Sequence, residues 1–146
     1  MKKHKQILIS AAMLISQAAY AGPYADDLGK CLVAATTKAD RESLVRWMFA
    51  AASTHPAVGA IAKVSAADLD KANAETGALF MKLMTESCRA QTKAALQYEG
   101  TATIEMGFQV LGQVAGRELF TSPEVVKSMA GLDKYMDKKK LEELKN

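Results

Sequence analysis

Histidine, proline and cysteine are scarce in this chain, with two, three and two residues respectively among 146. Each shortage removes a class of chemistry. A Ser-His-Asp triad needs a positioned histidine, and His4 lies in a segment read below as a leader. His55 is then the one histidine left, directly before Pro56, where it reads as a polar helix terminator. Zinc sites use three or four nitrogen and sulfur ligands at short local spacings, and no such grouping exists. CxxC and CxxCH are absent, so neither a thioredoxin-like redox pair nor covalent haem is indicated. The phosphate-binding and dinucleotide-binding glycine motifs are missing too. The sequence therefore offers no catalytic residues, no cofactor-binding residues and no metal ligands. No apolar run approaches the roughly 20 residues that a membrane-spanning helix needs.

What is present begins with a basic head, Lys2, Lys3 and Lys5, followed by an apolar stretch from Ile7 to Ile15. Ala19-Tyr20-Ala21 then places small residues where a signal peptidase reads, with Gly22-Pro23 after it. These are the three parts of a secretory signal, so residues 1–21 are expected to be a signal peptide and residues 22–146 a single domain. The expected destination is the periplasm, with secretion beyond it left open. Taking three leader lysines from the 19 Lys and Arg leaves 16, against 16 Asp and Glu. The net charge of +3 thus belongs to the leader, and the domain is neutral. A neutral domain lacks the basic face that nucleic acid requires, and after cleavage no membrane partner is expected. Lys134 and Lys138 to Lys140 interleave with Asp133, Asp137, Glu142 and Glu143, which reads as a solvated helix face.

Alanine, leucine and methionine dominate the apolar content, and β-branched runs are missing, so the expected fold is all-α: a small bundle of about five helices. The first runs from about Asp26 to Ala35 on the stripe Leu28, Cys31, Leu32, Ala35. Thr36-Thr37 interrupts it, and Asp40 reads as the N-cap of a second helix, Arg41 to about Ser53. That helix carries Leu44, Trp47, Met48 and Ala51 on one face and Val45, Phe49 and Ala52 on another, the pattern of a helix packed on two sides. Residues 56–64 read as a connector with at most a short helical turn. Ser65 and Asp68 resemble a capping box opening a long helix, Ala66 to Tyr98, with a break near Ser87. One stripe of it is Leu69, Ala72, Thr76, Leu79, Leu83 and another Phe80, Met84, Cys88; Gly100 ends it. A fourth helix, about Ala102 to Leu119, contains Gly112-Gln-Val-Ala-Gly116, read as a close helix–helix contact. Ser122-Pro123-Glu124 starts a short helix closed by Gly131, and Asp133 is expected to cap the last one.

Cys31 and Cys88 lie on core stripes of different helices, and an even cysteine count in a small exported domain argues for a disulfide. The bond would close 58 residues, 31 through 88, which on loop entropy contributes roughly 4 kcal/mol. Carboxylates remain as acid–base candidates: Glu75, Glu86, Glu118, and Glu105, whose neighbour Ile104 would bury it in part.

The segment Asp40-Arg-Glu-Ser-Leu-Val-Arg-Trp-Met-Phe-Ala-Ala-Ala-Ser-Thr-His-Pro56 resembles one found in uncharacterised secreted, periplasmic helical proteins of proteobacteria. The resemblance implies export and brings no activity with it. The function expected is a non-enzymatic protein-binding module of the periplasm, such as an inhibitor, an immunity-type protein or an adaptor. Its partner would be another protein, and its interface would involve Trp47 and Phe49, which sit on adjacent helix faces and cannot both point at one neighbour. Six methionines and eight aromatics in residues 22–146 support an alternative, a carrier of a small apolar ligand. A carboxylate-based hydrolase is a third. The sequence assigns no oligomeric state.

Overall fold

A computed structural model describes residues 22–145; the expected signal peptide, residues 1–21, lies outside the described residues. Among them are eight α-helices and no strand, so the all-α expectation holds. They are α1 (Pro23–Ala35), α2 (Lys38–Ala52), α3 (Pro56–Gly59), α4 (Ala66–Lys82), α5 (Arg89–Tyr98), α6 (Ala102–Thr121), α7 (Pro123–Met129) and α8 (Lys138–Glu143). The expected count of about five falls short for local reasons. The long helix divides into α4 and α5, the connector forms α3, and the end of the chain splits into α7 and α8 around a 3-10 stretch at Ala130–Tyr135.

Local chemistry explains most of the boundaries. Thr37 is the N-cap of α2, and Asp40 sits three residues inside it. Asp40 Oδ2 accepts from the Thr37 amide at 2.8 Å, while the Asp40 amide donates to Thr37 Oγ1 at 3.2 Å. Asp40 is therefore the return half of a capping box, not the cap itself. The hydrogen bonds from the Thr37 backbone and side chain hold the Asp40 carboxyl below its usual 3.8. His55 starts a helix where it was expected only to end one, because its Nδ1 accepts from the Ala57 amide at 3.2 Å ahead of Pro56. Gly100 takes φ +86°, the left-handed conformation a non-glycine residue resists, and closes α5. Near the C-terminal end, Asp137 and not Asp133 caps α8, accepting from the Lys140 amide at 3.3 Å. The 3-10 stretch runs through Gly131, and the Ser122 side chain makes no cap bond to α7.

Between α4 and α5 the chain makes a π-helical turn, Leu83–Ser87, with the Cys88 amide donating to the Leu83 carbonyl at 2.8 Å. The extra residue changes the register. Regular helical spacing grouped Cys88 with Phe80 and Met84; the π turn instead sends Leu83 and Cys88 together into the core, while Met84 stays half-buried. Cys88 thereby meets Cys31 of α1 in a disulfide whose Cα atoms are 5.9 Å apart, an ordinary bridging distance.

The core comprises Leu28, Leu32, Leu44, Leu83, Cys88, Ala95, Leu111 and Ala115. Its densest seam joins α1 and α6. A Cβ on Gly107 would stand 3.0 Å from the Leu28 Cγ, and one on Gly29 would stand 3.2 Å from Val110. These two glycines let the helices approach. Gly112 and Gly116, by contrast, face open space, so the GxxxG does not form the close contact expected of it.

Candidate functional site

Helix α2 contacts α4 and α6, and its two apolar faces meet different fates. Leu44 is buried, and Met48 and Trp47 are half-buried on the inner face. The Trp47 indole N–H donates to Asn73 Oδ1 of α4 at 2.9 Å, and its ring meets Phe80 edge-on at 6.2 Å between centroids. Phe80 in turn packs on Phe108 of α6 at 4.0 Å. A small apolar gap of about 170 Å³ remains among these side chains. Trp47 thus serves the packing of α2 on α4.

Phe49 does the opposite. It is 54% exposed and lines an open groove of about 660 Å³ along α2. Val45, Phe49 and Ala50 from α2, Val64 from the connector, Ala72 from α4 and Leu119 from α6 make the groove apolar. Arg46, Lys63, Lys71, Asp68 and Glu75 supply its charge. Beyond Val45, Arg46 and Leu119 the groove continues into a second depression of about 530 Å³, which reaches Ser122, Pro123 and Glu124. Of the face of α2 expected to be packed, Val45 is half-buried against the core, while Phe49 and Ala52 are left exposed by the described residues. An apolar floor with ionic edges has the make-up of a protein interface, where charge is depleted at the centre and kept at the rim.

The acids of the groove have other engagements. Asp68 Oδ2 accepts the Ser65 hydroxyl at 2.6 Å as part of the α4 cap, and Glu75 lies 3.9 Å from Lys71. They sit seven residues apart on one helix, a rise of about 10 Å, longer than the roughly 5–9.5 Å between the carboxyls of a glycosidase. Glu105, expected to be partly buried, is exposed, as is Glu86. Glu118 receives Arg41 Nε at 2.7 Å. Arg41 also donates to the Thr36 carbonyl at 2.8 Å, tying the end of α1 and the start of α2 to the end of α6.

One functional-looking carboxylate escaped the sequence reading. Glu99, at the end of α5, accepts from the Tyr24 and Ala25 amides at 3.0 and 2.9 Å and so caps α1 from across the chain. Tyr98 stacks on Tyr24 beside it, at 4.8 Å between centroids. Gly22 at the helix N-cap offers no side chain for the job, and that vacancy was the only local sign that a distant acceptor was needed. Among the described residues no grouping of three or more His, Cys, Asp or Glu could hold a metal ion, and no helix is long and apolar enough to cross a membrane. Comparison with family models, with curated proteins and with solved structures finds no match for this chain.

Proposed function

We propose that this chain is an exported, non-enzymatic protein-binding module, and that the groove along α2 is where it docks a helical segment of another protein. The observation that carries the reading is Phe49: a large aromatic side chain, more than half exposed, in an apolar groove with charged edges. Aromatic anchors at the centre of such surfaces supply most of the energy of an interface, and a groove between helices is the usual receptor for an amphipathic helix. Export is supported by the leader-like residues 1–21 and agrees with a disulfide, which persists in oxidising compartments. An inhibitor, an immunity-type protein or an adaptor would each work through such a surface.

The test is capture of partners from periplasmic extract by the wild-type chain, Phe49→Ala and His55→Ala, each checked for helicity by circular dichroism. Phe49→Ala should lose the captured protein with the fold intact, and His55→Ala should keep it. Loss in the His55 variant alone would overturn the reading and reopen an enzymatic one. A carrier of a small apolar ligand is the second reading, favoured by the volume of the groove, since ligand sites span about 300–1,000 Å³. Displacement of a bound fluorescent fatty acid by apolar compounds, with no protein captured, would select it.

A further inference from the structure

Helix α1 begins on a cap supplied from elsewhere in the chain. Gly22, its N-cap, has no side chain to offer, and the Tyr24 and Ala25 amides donate instead to Glu99 Oε1 and Oε2 at 3.0 and 2.9 Å. These are the two amides that a serine or aspartate at the cap would serve. The Glu99 carboxylate stands where such a side chain would stand: a Cβ on Gly22 would lie 2.8 Å from Oε2 and overlap Oε1. Glycine leaves that space to Glu99. Both residues are half-buried, with the stacked rings of Tyr24 and Tyr98 beside them.

The charge at this end is unbalanced. Glu99 and Asp26 bring two carboxylates to the first turn, and among the described residues neither is in an ion pair; Lys30 pairs with Asp27. The helix dipole offsets them with about half a unit charge. Each Glu99 oxygen uses one acceptor site on an amide and keeps another. A cation at Gly22 itself would complete the site, and one atom there can become one. The Gly22 nitrogen and the Cβ position are both one bond from its Cα, about 2.5 Å apart. The nitrogen therefore lies within about 5 Å of the carboxylate. In the uncut chain it is an amide and neutral. Hydrolysis of the Ala21–Gly22 peptide leaves a carboxylate on Ala21 and an amine on Gly22. That amine, with an ordinary pKa of about 7.7–8.0, takes a proton at pH 7.

We propose that removal of residues 1–21 finishes the N-cap of α1: the ammonium it creates on Gly22 pairs with the Glu99 carboxylate, so the processed terminus is itself part of the fold. This rests on the export reading, since it needs the cut after Ala21, and it adds a role for the residue on the mature side of that cut. Torsions of the freed end and of the Glu99 side chain close the remaining gap. Gly22 and Glu99 then act as a set. A larger residue at 22 pushes the carboxylate off the Tyr24 and Ala25 amides, and a neutral one at 99 leaves the ammonium without its partner. The uncut chain lacks the pair and holds the start of α1 less firmly.

The test is a double-mutant cycle on the disulfide-bonded chain that begins at Gly22, recovered after export, with thermal midpoints read by circular dichroism at neutral pH. One change blocks the ammonium by acetylating the Gly22 nitrogen, with the site checked by peptide mass. The other is Glu99→Gln, which keeps an oxygen for the amides and drops the charge. Acetylation should lower the parent's midpoint by about 3–6 °C and should leave that of Glu99→Gln where it was. A measurement on the parent alone covers the case in which Glu99→Gln does not fold. By NMR, the Gly22 amine should titrate at higher pH in the folded chain than in the same chain unfolded in urea, because the carboxylate favours its charged form. An amine that titrates no higher when folded overturns the proposal, as does acetylation that costs the parent nothing. A chain cut after Ala21 in which acetylation costs the same with Glu99 and with Gln at that position overturns this inference alone. A periplasmic chain that still carries residues 1–21 overturns the export reading and this inference together.

Discussion

Helix α1 and the C-terminal arm, residues 123–145, both carry recurring apolar side chains, Leu28, Cys31, Leu32 in one and Val126, Met129, Leu132, Tyr135 in the other, yet the structure treats them oppositely. Leu28 and Leu32 are fully buried; all four of the arm's are at least half exposed. Hydrophobicity does not separate them. Helix α1 has relief on both sides of its seam with α6, through Gly29 and Gly107, and it is held at three further points. The disulfide ties it to the turn before α5, Glu99 caps its first turn, and Arg41 holds its last carbonyl region against Glu118. Among the described residues the arm has no such partner. A stripe becomes core only where another element offers matching relief and an anchor.

The comparison breaks most visibly at the disulfide. Replacing Cys31 with Ser should destabilise the protein by about 4 kcal/mol, read as a lower denaturation midpoint under non-reducing conditions, and reductant should do the same to the parent. The arm side should be indifferent: a helicity change on reduction confined to residues 123–145 would contradict the division.

A sharper cut uses glycines of α6 alone. Gly107→Ala forces a Cβ against Leu28 and should cost about 1–3 kcal/mol through overpacking. Gly112→Ala meets nothing and should stabilise by about 0.5–1 kcal/mol, since alanine is the better helix former. Urea titrations of the two variants should therefore move in opposite directions. Equal shifts would mean that the seam is not where the helices touch most closely.

The smallest effect concerns the α2 cap, which lies just past the end of α1. The folded-state pKa of Asp40 is depressed from 3.8, chiefly by the hydrogen bond from the Thr37 amide. Its contribution to stability is thus fully present above the unfolded value and lost as pH falls through the lower folded one. Asp40→Asn should be less stable than the parent by the same margin at pH 5 and pH 7, and the margin should close below about pH 4. A margin that persists at pH 2 would show that the side chain acts by shape and not by charge.

Much of this architecture could be read from short stretches of sequence, and the reasons it could are themselves local. The break at Thr36-Thr37, the turn at His55-Pro56, the start at Ser65 and the stop at Gly100 depend on side chains within three residues of the backbone groups they serve. The pairing of Cys31 with Cys88 followed from there being only two cysteines on two apolar stripes. Asp40 and Asp137 show the limit of that reading. Each lies within four residues of where a cap was expected, and only the hydrogen bonds show which residue serves which terminus.

The candidate site was half legible. Trp47 and Phe49 had to diverge, because adjacent helical residues two apart cannot share a face. Which of them would turn outward was not written in α2 itself. Asn73 accepts the indole N–H and Phe80 meets its ring, and both come from a helix more than twenty residues on. The sequence by itself determined the all-helical class, most helix ends and the disulfide, since these follow from backbone propensity, short-range caps and a count of thiols. Only the tertiary structure decided which glycines lie in a seam, which register Cys88 takes through the π turn, and which apolar faces stay open. Those outcomes depend on what stands opposite each side chain, and burial is a property of the pair.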